Sequence, residues 1–437
     1  MTTTLVISIL TCFEMMTTIL VKPSICVQRV KISLYWLVAV GGALCLLLFG
    51  AIDLTTIWSG LTSNTAVNPL KILVLFISMT ALSVFLDEVG FFQYLAIKSL
   101  SRVGTSQKRF FFLLYLLVSV LTIFTSNDVV VLTFTPFICY YAKNAKVDPV
   151  PYLVGEFVAA NSLSLTLIIG NPTNIYLATS YGISFGKYFA VMILPAIVAG
   201  VVAMLVTYLI FHRQLQTPIE TQIIDAPAPN KTMLGVGLTA LCCCTILLAI
   251  SSYVGFEMWY ISLGFALALL MFGMIFKLAN KQYPTEVIRT IKRCPWELIP
   301  FVISMFVIVL ALNEHDITKI VAQKLYAGNY TILTYGASSF LFANLINNIP
   351  MSILFSSAVG YLPTEQVLPA VFASIIGSNI GAYLTPVGAL AGIMWLGILK
   401  NHQVKFTFLD FVKYGSLISI PTLLASLGAL YLSMIIF

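Results

Sequence analysis

The stretch Thr125-Ser126-Asn127-Asp128 lies in the middle of the apolar run 110–141. A carboxylate and an amide are costly to bury in such surroundings, so side chains of this kind usually face protein or water and serve a function. The stretch has a counterpart, because residues 340–359 read FLFANLINNIPMSILFSSAV, with Asn347-Asn348 in the corresponding place. Two such elements predict a duplicated architecture.

The composition places the chain in a lipid bilayer. Hydrophobic residues make up 59% and charged residues 9% of 437 positions, and the mean hydropathy is +1.00. No soluble domain is this apolar along its whole length, so an all-α polytopic membrane protein is predicted. The net charge of +7 could suit a nucleic acid, but the basic residues cluster in short loops between apolar runs, as membrane topology requires. Membrane lipid is therefore the expected surrounding, and no nucleic-acid partner is expected.

The cysteines and histidines predict no metal site and no catalytic centre. None of the eight cysteines forms a CxxC or Cys/His pattern. Neighbours on a helix diverge by about 100°, so the consecutive Cys242, Cys243 and Cys244 cannot converge on one ion. The histidines lie at loop boundaries, at His212, His315 and His402. No cofactor is expected apart from a coupling ion, H⁺ or Na⁺.

The sequence offers a series of runs long enough to cross a membrane, which takes about twenty apolar residues each. The spanning candidates are 5–21, 33–50, 72–86, 152–178, 188–211, 233–253, 258–276, 296–312, 366–399 and 414–437. Two pieces, 110–141 and 331–361, are longer and have an asparagine pair at the centre. No signal peptide is predicted, because the first run lacks a preceding basic region and contains Glu14.

The basic residues decide whether the two longer pieces cross the membrane or turn back. If each piece dips in and returns to the same side, nearly all of the 23 Lys and Arg residues fall on one face. The exceptions are Lys71, Lys187, Lys319 and Lys324. A single crossing at 110–141 would instead put basic loops on both faces. The positive-inside rule therefore predicts re-entrant hairpins, a plasma-membrane location and both termini outside the cytoplasm.

Matching segments predict an internal duplication. The pairs are Asn68-Pro69 with Cys294-Pro295, Ser78-Met79 with Ser304-Met305, Asn127-Asp128 with Asn347-Asn348, Ala160-Asn161 with Ser378-Asn379, and Gly170 with Gly388. Each half would hold five crossings, one re-entrant hairpin and one broken helix, and an odd number of crossings inverts the second half. The predicted units are a first inverted repeat at 1–213, a cytoplasmic linker at 214–231 and a second inverted repeat at 232–437. Prolines in the linker, Pro218, Pro227 and Pro229, argue against a helix there.

A crossing with a polar break follows each hairpin, and the breaks and hairpin tips together form the predicted binding site. Proline and glycine inside a crossing free backbone groups, which survive at mid-membrane only against protein, water or a ligand. Freed helix N-termini suit an anion or a polar oxygen, and freed carbonyls suit a cation. The predicted substrate- and ion-binding residues are Ser126, Asn127, Asp128, Asn161, Asn171, Thr173, Asn174, Asn347, Asn348, Ser378, Asn379 and Thr385. The alternative is that the asparagines only join helices, but their arrangement in two matching sets argues for a site.

Two acidic residues lie inside predicted crossings. Asp128 has Asn348 as its counterpart, so the hairpin fold does not need the charge. An unpaired carboxylate at that depth favours its protonated form, which would suit it to carry a proton or hold a cation. Glu156 lies near the cytoplasmic end of its crossing, a depth that permits snorkelling or pairing with Lys146, so we expect a structural role. It is the next candidate proton carrier if Asp128 is not one.

At these residues the sequence resembles the ion-transporter superfamily that includes arsenite permeases, sodium/proton antiporters and citrate-type carboxylate carriers. The most specific part is GSNIG at 377–381, LTPVGALA at 384–391 and Trp395-Leu396, which is similar to the arsenite-permease version. Ser126-Asn127-Asp128 followed by Thr135-Pro136 is also similar to that version, as is Asn347-Asn348-Ile349-Pro350. GNPTN at 170–174 is closer to the GNPxN of the wider family.

The resemblance implies a scaffold part, a mobile part that carries the hairpins, and export of arsenite or antimonite driven by the proton gradient. The alternatives within transport are a carrier of another small anion, such as a di- or tricarboxylate, and a sodium/proton antiporter. The predicted core has no Lys or Arg, which favours either a neutral substrate, such as the trihydroxide of arsenic, or an anion held by backbone groups alone.

Other classes fit the residues less well. An intramembrane enzyme would need a catalytic dyad or metal ligands at mid-depth, so no enzyme is predicted. Duplicated broken helices favour alternating access over a channel. No G-x-x-x-x-G-K-[ST] motif occurs, so the energy must come from an ion gradient or from a separate ATPase subunit. That subunit and a homodimer are the protein partners left open.

Overall fold

The computed structural model describes residues 1–22, 24–27, 30–63, 68–100, 104–218 and 228–437. The first half contains α1 (Thr2–Val21), β1 (Ser24–Val27), β2 (Val30–Ser33), α2 (Tyr35–Leu48), α3 (Leu54–Thr62), α4 (Pro69–Glu88), α5 (Phe91–Leu100), α6 (Gln107–Phe124), α7 (Asn127–Asn144), α8 (Val150–Leu163), α9 (Pro172–Ser180) and α10 (Phe185–Phe211). The second half contains α11 (Lys231–Val254), α12 (Met258–Ala279), α13 (Thr285–Arg293), α14 (Leu298–Glu314), α15 (Ile317–Leu325), α16 (Thr331–Ile346), α17 (Asn348–Val359), α18 (Thr364–Gly381), α19 (Leu390–Asn401) and α20 (Phe408–Ile436).

Helices long and apolar enough to cross a membrane dominate the chain. In the described ranges there are eight such segments, within α1, α4, α6, α10, α11, α12, α13 with α14, and α20. The protein is therefore a helical polytopic membrane protein, as its composition predicts. The predicted crossings 152–178 and 366–399 are each broken, into α8 and α9 and into α18 and α19, with a short 3₁₀ turn in each gap.

Both long apolar runs fold as helical hairpins. In the first, the ring of Phe110 on α6 stacks on that of Tyr141 on α7, with centroids 4.4 Å apart, so the two ends of the run lie together. In the second, Tyr335 on α16 meets Phe355 on α17 edge to face at 5.9 Å. The turns fall at the predicted asparagine pairs, because α7 begins at Asn127 and α17 at Asn348.

The two halves repeat the same order of elements and contact each other reciprocally. Helix α2 packs on α14 and α12 packs on α4; likewise α7 packs on α19 and α17 on α9, while α10 packs on α20. A two-fold relation between the halves would produce this pattern. The repeat boundaries stay a prediction. In the predicted linker the structure describes a 3₁₀ turn at Gln214–Gln216, whereas residues 219–227, including Pro227, lie outside the described ranges.

Ion pairs join loops that the sequence places on the same side of the membrane. Lys71 and Glu257, which both border loops predicted to be outside, lie 2.7 Å apart. Arg293 contacts Asp87 at 2.7 Å and Glu88 at 2.6 Å, all on the predicted cytoplasmic side. The loop sorting inferred from the basic residues therefore agrees with the contacts.

Four elements were not predicted. The antiparallel strands β1 and β2, with Ile25 paired to Ile32, precede α2, which begins later than the predicted crossing 33–50. The short helices α3 and α13 lie in stretches read as loops. Each of these elements is too short for a hydropathy window of twenty residues to register. Two further short helices, α5 and α15, each follow a crossing helix, α4 and α14.

Candidate substrate and ion site

The side chain of Asn379 on α18 joins the two halves. Its Oδ1 accepts hydrogen bonds from Ser164 Oγ and Asn171 Nδ2, both at 3.0 Å. Its Nδ2 donates to Asn174 Oδ1 at 2.7 Å and to the Ile375 carbonyl at 2.9 Å. All four side chains, Ser164, Asn171, Asn174 and Asn379, are buried, and we call this set the polar junction.

The break between α8 and α9 follows from its sequence. Asn171 caps α9, because its Oδ1 accepts from the backbone N–H and the hydroxyl of Thr173, each at 3.1 Å, and Pro172 fits the first helical position. Asn174 Nδ2 donates to the Ser164 carbonyl at 2.8 Å, which satisfies a backbone group freed by the break. A Cβ at Gly170 would lie 2.3 Å from that carbonyl oxygen, so only glycine fits.

The tip of the first hairpin is bound to α8 through one amide. Asn127 Nδ2 donates to Asn161 Oδ1 at 3.0 Å, and Asn161 Nδ2 donates to the Phe157 carbonyl at 2.8 Å. Asn127 Oδ1 and Ser126 Oγ are buried and have no hydrogen-bond partner among the described residues. These two atoms retain hydrogen-bonding capacity that a bound substrate could complete.

Asp128 faces a large cavity, which we call the vestibule. Its volume is about 820 Å³, and its lining includes Tyr35, Thr80, Asp128, Lys292, Arg293, Glu297, Lys400 and Asn401. The Asp128 side chain is half-buried, and within the described ranges its carboxylate has no hydrogen-bond or ion-pair partner. The lining loops at 292–297 and 400–401 belong to the predicted cytoplasmic face. The vestibule therefore gives that face access to the first hairpin tip.

Residues at the second hairpin tip make hydrogen bonds to the segment between α18 and α19. Asn347 has φ +73°, and its Nδ2 donates to the Val387 carbonyl at 2.9 Å. Asn344 Oδ1 accepts from the N–H and the hydroxyl of Thr385, at 3.0 and 2.6 Å, and its Nδ2 donates to the Gly381 carbonyl at 2.9 Å. This tip thus supports backbone structure in its own half.

The predicted site residues lie in three sets, two of which are linked, because Ser164 Oγ donates to the Asn161 carbonyl at 2.9 Å. Asn171, Thr173, Asn174 and Asn379 lie in and around the polar junction; Asn127 pairs with Asn161; Asn347 and Thr385 lie at the second break. Asn348 and Ser378 are buried, and Ser378 Oγ has no partner in the described part of the chain. The sequence reading omitted Ser164 and Asn344. The second could have been found, because it lies three residues before Asn347, inside the same apolar run.

The expectation about Glu156 is corrected. Glu156 does not snorkel: it is 0% exposed, because α7 covers it, and Thr135 Oγ1 lies 3.0 and 3.1 Å from its two carboxyl oxygens. Lys292, Arg293 and Lys400 are among the residues that line the vestibule.

Comparison with known proteins agrees with this architecture. An arsenical pump membrane protein of Escherichia coli is 26% identical over 411 residues, which cover 90% of this chain and 92% of that protein. A putative arsenical pump membrane protein of Bacillus subtilis is 24% identical over 419 residues, covering 89% and 92%. The crystal structure of the Alcanivorax borkumensis YdaH transporter shares the fold, with a TM-score of 0.61 and 14% identity over 99% of this chain and 98% of that one.

A family profile described as citrate transporter matches residues 30–377, which is most of the chain. The superfamily resemblance read from the hairpin and break motifs is thereby confirmed, and the broken helices are placed in a known transporter fold. The protein is a membrane transporter that belongs to the citrate transporter family.

Proposed function

We propose that the protein is a secondary active transporter that exports arsenite or antimonite by alternating access, in exchange for protons. The observation that carries the proposal is the half-buried carboxylate of Asp128 at the vestibule, beside the first hairpin tip, which pairs with no residue in the described ranges. A carboxylate in this position can bind a proton from one side of the membrane and release it to the other. The arsenical pump relatives support the choice of substrate.

The proposed site combines the hairpin tips with the broken helices. Its members are the twelve residues named above, at 126–128, 161, 171, 173, 174, 347, 348, 378, 379 and 385. Free polar atoms at Ser126, Asn127 and Ser378 suit the hydroxyl groups of a neutral trihydroxide, which both donate and accept hydrogen bonds. The repeats at 1–213 and 232–437, joined by the linker 214–231, would supply the two hairpins that move.

The transport cycle follows from which side reaches Asp128. In the conformation described here the vestibule opens toward loops that we place in the cytoplasm, so Asp128 would release its proton there and the substrate would enter. Closing the vestibule and opening the opposite face would let the substrate leave and Asp128 take up a new proton. The scheme assumes that the protein lies in the plasma membrane and that both termini are outside the cytoplasm.

Flux into everted membrane vesicles tests the proposal. An imposed gradient, acidic inside the vesicle, should drive arsenite uptake that vesicles without the protein lack, and antimonite should compete. Arsenate should not compete, because it is ionised at neutral pH. Correctly inserted protein that moves no arsenite under any gradient would overturn the substrate assignment.

One observation favours a second candidate, a carrier of di- or tricarboxylates. The vestibule lining includes Lys292, Arg293 and Lys400, whose charges would attract such anions. Citrate uptake in the same vesicles, with and without sodium, separates the carboxylate and sodium/proton alternatives from arsenite export.

A further inference from the structure

Glu156 is a buried acid that the proposed cycle does not use. It lies on α8, five residues before Asn161, and its side chain is 0% exposed. Its contact residue Thr135 lies on α7 roughly two turns beyond Asp128 and on the same helix face. The carboxyl of Glu156 is therefore held against the same hairpin helix that carries Asp128 at its tip.

The neighbours of Glu156 provide no counter-charge. From α7 the titratable neighbour is Cys139, and α19 presents the indole of Trp395. On α6, Phe111 contacts the adjacent Gly155, and no described Lys, Arg or His forms an ion pair with Glu156. An ionised carboxylate in this position would lack the compensation that burial demands.

The single hydrogen of the Thr135 hydroxyl is consistent with a protonated Glu156. The hydroxyl of Thr135 has one hydrogen, and its oxygen lies 2.6 Å from the Val131 carbonyl, which can only accept. The same oxygen lies 3.0 and 3.1 Å from the two carboxyl oxygens of Glu156. If the hydroxyl hydrogen makes the shorter bond, to Val131, the contact with Glu156 takes its hydrogen from the carboxyl group.

A second cavity lies near this acid. We call it the loop cavity; it has a volume of about 810 Å³, and its lining includes Cys139, Lys143, Asp148, Asn401, His402 and Lys405. Cys139 lies one turn beyond Thr135 and is thus the lining residue next to Glu156. Asn401 lines both the loop cavity and the vestibule, so the two cavities lie side by side.

We propose that Glu156 is a second proton-binding site of this transporter, protonated in this conformation and exchanging its proton with the loop cavity. The step is an ionisation: the O–H bond of the acid breaks, its proton passes to water in the loop cavity, and the carboxylate remains. The indole N–H of Trp395, which has no hydrogen-bond partner within the described residues, and the hydroxyl of Thr135 then donate to that carboxylate. The inference rests on the proton coupling proposed above.

Infrared difference spectroscopy of the purified full-length protein tests the assignment without any substrate. The carbonyl band of a protonated, buried carboxylic acid should appear in the wild type and disappear in Glu156→Gln. It should persist in Glu14→Gln, a matched loss of an exposed carboxyl on α1. An unchanged band in Glu156→Gln would overturn the proposal.

A second variant keeps the test decisive if Glu156→Gln does not fold. Thr135→Val removes the hydroxyl at similar size, so the acid loses its acceptor and the band should move to higher frequency. A band that does not move would contradict the proton count at Thr135. Because neither readout involves flux, loss of the band in Glu156→Gln would support the inference even where vesicles transport no arsenite. Proton-driven arsenite uptake with no band assignable to Glu156 would refute it while leaving the proposed function in place.

Discussion

The two hairpin tips are built on matching sequences yet use their asparagines differently. At the first tip, Asn127 Nδ2 donates to one side chain, Asn161. Asn127 Oδ1 and Ser126 Oγ have no hydrogen-bond partner among the described residues. At the second tip, Asn347 bonds to the Val387 backbone, and Asn344 makes bonds that fix the turn into α19. The duplicated fold therefore carries an uncommitted tip beside the vestibule and a committed tip that supports the break.

Removing the charge at the first hairpin tip should produce the largest effect, a loss of proton-driven uptake. Asp128→Asn keeps the shape of the side chain and removes the titratable group, so uptake driven by a pH gradient should fall at least about tenfold, or ~1.4 kcal/mol. Substrate exchange at equal pH should continue. Both are measured in vesicles matched for protein content.

Asn348→Asp added to Asp128→Asn should not restore coupling, because Asn348 is not among the residues that line the vestibule. Full rescue by the double variant would show that the two tips are equivalent and remove the distinction drawn here. Wild-type pH-driven uptake in Asp128→Asn alone would exclude Asp128 as the proton carrier.

Removing the support at the second tip should have an intermediate effect, on stability. Asn344→Leu leaves the Thr385 N–H and hydroxyl and the Gly381 carbonyl without their partner, which we expect to destabilise the fold by about 2–4 kcal/mol. Thermal unfolding in detergent measures the change. Asn280→Leu is the control: its amide makes one exposed bond, to the Phe276 carbonyl, and should change stability by less than about 0.5 kcal/mol. Equal shifts in the two variants would argue against a supporting role for Asn344.

The variants with the smallest expected effect on transport test the side of the membrane from which each hairpin enters. In a variant without native cysteines, single cysteines at Lys98 and Lys146 flank the first hairpin, and Glu365 follows the second. We expect an impermeant thiol reagent to reach the first two positions only from the cytoplasm and the third only from outside, with transport unchanged. Labelling of positions 98 and 146 from opposite faces would break the hairpin topology.

The hairpins could be predicted because their evidence is local. Polar pairs inside apolar runs and the sorting of basic loops are visible in the sequence, and the turns at Asn127 and Asn348 follow them. The breaks could also be predicted, because Asn171 is a residue that caps helices and Pro172 suits the first position of a helix. The strands β1 and β2 and the helix α13 were missed, because short elements take their stability from tertiary contacts rather than from hydropathy.

The membership of the site could be predicted only in part. Residue types and spacing selected the asparagines, but the bonds from Asn379 to Asn171 and Asn174 join positions more than two hundred residues apart. The burial of Glu156 likewise depends on α7 lying over it, which no pattern within α8 records. Sequence periodicity reports how apolar a helix is, not which helix covers it.

The polar junction also bears on how the chain reaches its native state. Asn379 uses both donors and its acceptor oxygen, and the groups that satisfy its head from the other half are Ser164, Asn171 and Asn174. Neither half alone supplies all of these hydrogen bonds, so a separated half would hold several buried amide groups without partners. The junction therefore makes folding of the first half contingent on synthesis of the second, and the two halves should unfold as one cooperative unit.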